Sequence, residues 1–185
     1  MIYDITPVES FESSVPRPLA YFLPDCDAGT RAFAARYGAG FLLHHGPLAP
    51  LGGRAGAQPT IFFDEQHLHR STDVPLVVFC LRERGRSDLP GAITLGRARA
   101  NDVVLGHPSV SKLHAIVHTG AEGALYLADA RSHNGSFIDG VRVPAAGNGP
   151  ARHLESGALV RLGAVELTFV TAEDLRALVR ARLGR

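Results

Sequence analysis

The chain's 185 residues suffice for one full domain with an extension and are too few for two large ones. Hydrophobic residues at 45% and charged residues at 20% mark a soluble globular protein. Lys+Arg 19 against Asp+Glu 18 leaves a net charge of +1, which excludes a global basic field for nucleic acid or an anionic membrane, so any anion site must be local.

The longest apolar run, LVVFCL at 76–81, is far shorter than the roughly 18 residues of a membrane span. No basic-then-apolar leader opens the chain, so a cytoplasmic location is expected. Cys26 and Cys80 make neither a disulfide framework nor a CxxC clip, and Cys80 inside that run reads as a buried free thiol.

Residues 1–70 hold many of the prolines and a glycine-rich linker, GPLAPLGGRAGAQP, and read as an N-terminal extension or small accessory domain. Within them DAGTRAFAARYG predicts a short helix with Asp27 as cap, a Phe33/Tyr37 pair one turn apart, and Gly38 as terminator. GFLLHH and TIFFDEQ predict short strands.

Residues 71–170 turn into strand after short strand: PLVVFCLRE, AITLGR, DVVL, LHAIVH, ALYLAD, GSFI, VRV, ALVRLG and AVELTFV. That spacing is the signature of an all-β sandwich. Val165, Leu167 and Phe169 alternate with Ala164, Glu166 and Thr168, as a half-buried strand requires. Asp139-Gly140 between apolar strands suits the positive φ angles of a type I′ hairpin turn. Residues 171–185 change period and predict an amphipathic helix, with Thr171 and Asp174 arranged as a capping box and Leu175, Leu178, Val179 and Leu183 on one face.

The only lysine of the chain lies in HPSVSKLHA, among strand-end positions where residues distant in sequence converge. LGR at 95–97, DVVL at 102–105, SVSKLHA at 109–115 and DARSHNGSFIDG at 129–140 resemble, in order and separation, the Gly-Arg, Ser-x-x-His and Asn-Gly signatures of the forkhead-associated (FHA) domain. The resemblance runs over about residues 74–170. It implies an FHA-type β-sandwich of two twisted, mostly antiparallel sheets, preceded here by a small α/β extension and followed by a short C-terminal helix.

That family binds phosphothreonine peptides, so the resemblance implies a threonine-phosphorylated protein or peptide as partner and a Ser/Thr kinase upstream, with no nucleic acid, membrane or cofactor. A phosphate monoester carries about −1.5 to −2 charge and three strong acceptors, and its site needs cations and fixed donors. Arg97 would supply the planar fork, Ser111 a hydroxyl and Lys112 a point charge. Asn134 would hydrogen-bond the peptide backbone, His133, where a hydroxyl residue is common, would donate a hydrogen bond from its imidazole beside the phosphate, and Ser109 lies on the loop that reads residues C-terminal to the phosphothreonine. Gly96, His114 and Gly135 are assigned to loop architecture.

Other classes are weaker. The 9 histidines include His44-His45 and His67-x-His69, but a third metal ligand at recognisable spacing is missing even if Asp64, Glu65 or His118 is invoked. A serine hydrolase lacks its G-x-S-x-G turn, and no Gly-Lys-Ser/Thr of a phosphate-binding loop occurs. No enzymatic activity is expected. The alternative is a degenerate FHA-like adaptor that binds unphosphorylated protein. Arginine-over-lysine and alanine-rich usage fits a bacterium with a GC-rich genome.

Overall fold

The computed structural model describes residues 16–45, 49–50, 61–62, 76–85 and 89–184. In chain order the elements are β1 (Arg17–Pro18), a 3-10 helix (Leu19–Asp25), α1 (Thr30–Tyr37), β2 (Gly40–His45), β3 (Ala49–Pro50), β4 (Ile61–Phe62), β5 (Leu76–Leu81) and β6 (Ala92–Gly96). They continue through β7 (Val103–Val104), β8 (Ala115–Thr119), β9 (Leu125–Asp129), β10 (Ser136–Ile138), β11 (Val141–Arg142), β12 (Arg152–His153), β13 (Leu159–Leu162), β14 (Val165–Thr171) and α2 (Ala172–Leu183).

Two sheets face one another. The larger has the order β1-β5-β2-β14-β13-β10-β11 and the smaller β12-β9-β8-β6-β7. All pairs are antiparallel except β6 with β7. Leu95, Leu105, Leu127, Leu162 and Leu167 fill the space between them, each fully buried and worth about 1.5–3 kcal/mol of transfer free energy. The FHA-type sandwich implied by the sequence is the fold observed.

The LVVFCL run has a physical explanation in its two buried faces. Val77, Phe79 and Leu81 point into the sandwich, while Val78 and Cys80 point outward into a second apolar cluster with Phe22, Phe33, Tyr37, Phe41, Leu43, Leu175 and Val179. A strand covered on both faces loses the alternation that marks a half-exposed one. β2, from the segment before residue 70, lies between β5 and β14. The change of composition at residue 70 is therefore not a division of the sheet. α2 closes this outer layer, and its buried Arg176 donates from Nε to Cys26 O (2.9 Å) and from Nη1 to Thr30 Oγ1 (2.6 Å).

Several local expectations need correction. α1 is capped by Gly29 without a side-chain bond, and Asp27 pairs instead with Arg180 at 3.1 Å, because two residues separate it from the helix start. Phe33 and Tyr37 do pack together, ring centroids 4.8 Å apart with the planes tilted by 56°, and Gly38 ends the helix at φ 114°. At α2, Thr171 Oγ1 accepts from Asp174 N as the cap predicts. The reciprocal half of a box is missing, since Thr171 N donates to Ser156 Oγ and the short Asp174 carboxylate accepts from the Thr171 and Ser156 hydroxyls. Leu175 and Val179 are buried, Leu178 is half-buried, and Leu183, the last residue of α2, is exposed. Of TIFFDEQ only Ile61–Phe62 is described, paired with Ala49–Pro50. The glycine-rich linker, apart from Ala49–Pro50, and Asp64, Glu65, His67 and His69 lie outside the described residues.

The register decides which loops meet. Leu95 pairs with Ala115, Ala115 with Asp129, and Ser136 with Leu162. The residues after β6, before β8, after β9, before β10 and after β13 therefore emerge at one end of the sandwich. The Asp139-Gly140 hairpin lies at the opposite end of β10 and has the expected positive φ values, 49° and 77°.

Candidate functional site

At this end the main chain ties the loops together before any side chain does. Arg97 N donates to Ser111 O (2.8 Å) and Ala98 N to Lys112 O (3.1 Å), which places Arg97, Ser111 and Lys112 side by side. Asn101 Nδ2 braces the same junction by donating to Lys112 O (2.6 Å) and Ala98 O (2.7 Å). Gly96 is required there: a Cβ would stand 2.3 Å from Lys112 O and 2.9 Å from Asn101 Nδ2. That close approach is the physical content of its architectural assignment.

His114 is fully buried and joins two loops through both ring nitrogens. Nδ1 accepts from Ser111 N (2.9 Å), so the hydrogen sits on Nε2, which donates to Gly135 O (3.1 Å). Burial lowers its pKa; the Gly135 hydrogen bond and the Asp129 charge only partly oppose this, and the ring is held neutral. Gly135 O also accepts from Gly163 N (3.1 Å), and Gly135 itself has φ 79°.

The side chains facing solvent have defined supports. Arg97 is exposed, and its Nε donates to Val110 O (3.1 Å); among the described residues its terminal nitrogens make no hydrogen bond. Ser111 Oγ accepts from His133 N (3.1 Å), so its own hydrogen remains available to donate. Asn134 Nδ2 donates to Ser109 O (2.7 Å). Lys112, His133 and Asn134 are exposed. In the loops 97–101, 106–113 and 130–135 the exposed charged side chains are Arg97, Arg99, Lys112 and Arg131, all cations. A chain of net charge +1 thus concentrates positive charge at one end.

Residues 93–163 match the FHA domain family. The chain contains an FHA domain. It is similar to part of the ABC transporter ATP-binding/permease protein of Mycobacterium tuberculosis, 38% identical over 98 residues that make up 51% of this chain and 10% of that protein. The chain thus spans about a tenth of that relative's length. Among solved structures it is similar to Mycobacterium tuberculosis EmbR in complex with a low affinity phosphopeptide: 21% identical, covering 78% of this chain and 29% of that one, TM-score 0.42. The N-terminal FHA domain of Rad53p from S. cerevisiae, in complex with a phosphothreonine peptide, is 23% identical over 47% of this chain and 73% of that one, TM-score 0.40.

The FHA domain's loops contain supports that the sequence alone did not reveal. Ser109, expected on the reading loop, has its hydroxyl engaged inside the domain: it donates to His107 Nδ1 (2.7 Å) and accepts from Ala164 N (2.9 Å). Its neighbour across the loop, Gly163, has φ +63° and no room for a Cβ, which would lie 2.5 Å from Ser109 O. Buried Asp129 accepts from Ser132 N (2.9 Å), Ser132 Oγ (2.6 Å) and Ser136 Oγ (2.7 Å). Burial alone would raise its pKa, but these hydrogen bonds outweigh it and hold the carboxyl below its ordinary range. The network shapes the turn that presents His133 and Asn134, with Arg131 at φ 60°. The only sequence signal for it was an aspartate three residues before a serine, just ahead of Asn-Gly. Among the described residues no group of three His, Cys, Asp or Glu side chains is placed to hold a metal ion, and no helix is long and apolar enough to cross a membrane.

Proposed function

We propose that the FHA domain recognises a protein or peptide phosphorylated on threonine, downstream of a Ser/Thr kinase, and that this recognition is the biochemical role of the chain. The carrying observation is that Arg97, Ser111 and Lys112 are locked side by side by main-chain bonds at an end whose exposed loop charges are all positive. In this reading the Arg97 guanidinium, anchored through Nε, grips two phosphate oxygens with its terminal nitrogens, the Ser111 hydroxyl donates to a third acceptor, and Lys112 adds a movable charge. Asn134, anchored through one amide hydrogen, keeps its carbonyl oxygen and second hydrogen for the peptide main chain beside the phosphothreonine. His133 contributes its main-chain N–H to orienting Ser111 and leaves its ring at the rim. Gly96, His114 and Gly135 hold the loops; Ser109 acts through its carbonyl on Asn134 rather than by touching the ligand.

Most of the binding free energy comes from charge-assisted hydrogen bonds to a dianion, so removing the phosphate removes them together. Calorimetry with an oriented library of phosphothreonine peptides and their unphosphorylated counterparts tests this. Low micromolar to submillimolar binding of the phosphorylated forms alone is expected, whereas equal binding of both forms would replace this reading with that of an adaptor for unphosphorylated protein.

A further inference from the structure

Among the described residues, only half of the outer face of the larger sheet is covered. Over β5, β2 and β14 it carries the second apolar cluster and α2. Over β13, β10 and β11 no described element lies on it. There Phe137 is flanked in register by Arg142 on β11 and Arg161 on β13, so the three side chains stand on one face. The Arg161 guanidinium lies 3.7 Å from the Phe137 ring centroid, and its Nη1 donates to Gly163 O at 2.8 Å. Arg142 is exposed, and among the described residues no hydrogen bond or ion pair engages it. Glu166 stands opposite Arg161 on β14, yet the two form no ion pair among the described residues.

This cationic shelf adjoins the loops of the phosphothreonine site. A Cβ built on Gly135 would lie 3.2 Å from the Phe137 ring and 3.4 Å from Arg142 Nε. Arg142 thus stands beside the residue that follows Asn134, within a side chain's reach of a peptide held there. We propose that Arg142 and Arg161 form a specificity subsite that selects an acidic side chain of the bound phosphopeptide on the Asn134 side of its phosphothreonine. The inference rests on the proposed phosphothreonine recognition and names the peptide class it prefers. Arg161 is already oriented by the aromatic ring and a main-chain carbonyl, which lowers the side-chain entropy lost when a carboxylate docks. Arg142 supplies the second cation, and among the described residues it has no internal partner to give up.

The test measures affinities of the full chain for phosphothreonine peptides that have neutral flanks, or Asp or Lys at each of four positions on either side. In the wild-type chain Asp at one or more positions on one side should tighten binding about fivefold to tenfold over neutral flanks, and Lys should weaken it. Arg142→Gln should reduce the preference for Asp and Arg142→Glu should invert it, while both bind the neutral-flank phosphopeptide within twofold of wild type. Arg142 is exposed and unbonded among the described residues, so these variants keep their fold, which a melting curve verifies. No acidic preference in wild type, or the same preference in Arg142→Glu, overturns the inference and leaves phosphothreonine recognition standing. Failure of wild type to bind even the neutral-flank phosphopeptide overturns phosphothreonine recognition and this inference with it.

Discussion

Replacing His114 with alanine should separate loop architecture from ligand contact. The imidazole is fully buried and makes two bonds, but its partners do not lose equally. Gly135 O keeps a second donor, Gly163 N at 3.1 Å, whereas Ser111 N has its hydrogen bond with the ring alone. One partly buried donor is therefore orphaned, at about 1–3 kcal/mol. The volume vacated by the ring adds about 1–2 kcal/mol for partial collapse. A total of about 2–5 kcal/mol corresponds to a Tm lower by roughly 5–15 °C in a chain of this size. Arg97→Ala, by contrast, removes an exposed side chain with one bond to Val110 O and should cost less than about 1 kcal/mol, yet abolish phosphopeptide binding. Differential scanning calorimetry and peptide titration on both variants give the comparison. A His114→Ala protein melting within 1 °C of wild type, or an Arg97→Ala protein destabilised as much as it, would refute the division of roles.

Three further outcomes are expected. Burial lowers the pKa values of His114 and His44, so the unfolded chain takes up protons near its ordinary histidine pKa of about 6.5 before the folded chain does; stability is then full above that value and falls as pH drops below it, and melts between pH 8 and 5 that show no decline would contradict this. Arg176→Ala orphans Cys26 O and Thr30 Oγ1 and unpins α2 from the residues before α1, which should cost about 2–4 kcal/mol in urea unfolding and speed proteolysis at residues 19–30. Burial pushes the Cys80 thiol pKa up to about 12, so in a Cys26→Ser chain Ellman's reagent at pH 8 should react only on unfolding, and rapid labelling of the native chain would contradict its burial.

Most of the strand order of residues 76–170 was legible because each strand there is bounded by turn residues, and the inner-facing residues of β14 alternate with polar ones. The candidate site residues Arg97, Ser111, His114 and Asn134 were picked out by resemblance to the Gly-Arg, Ser-x-x-His and Asn-Gly signatures, each a short local pattern, whereas the meeting of their loops depends on strand register. The capping of α1 was not legible, since Asp27 pairs with Arg180, whose position depends on α2 packing from the far end of the chain. β12, at Arg152–His153, has too few residues for any period to register.

The amino-acid pattern alone specified a sandwich of short strands, a hairpin at Asp139-Gly140 and a terminal amphipathic helix, because each of these follows from period or turn chemistry within a few residues. Long-range packing set the rest: β2 enters the sheet between β5 and β14, Ser109's hydroxyl faces inward to His107 and Ala164 N, and Arg142, Phe137 and Arg161 share one face beside Gly135. These depend on which strands pair and in what register. Pairing is set by burial summed over residues far apart in the chain, a quantity that no local pattern contains.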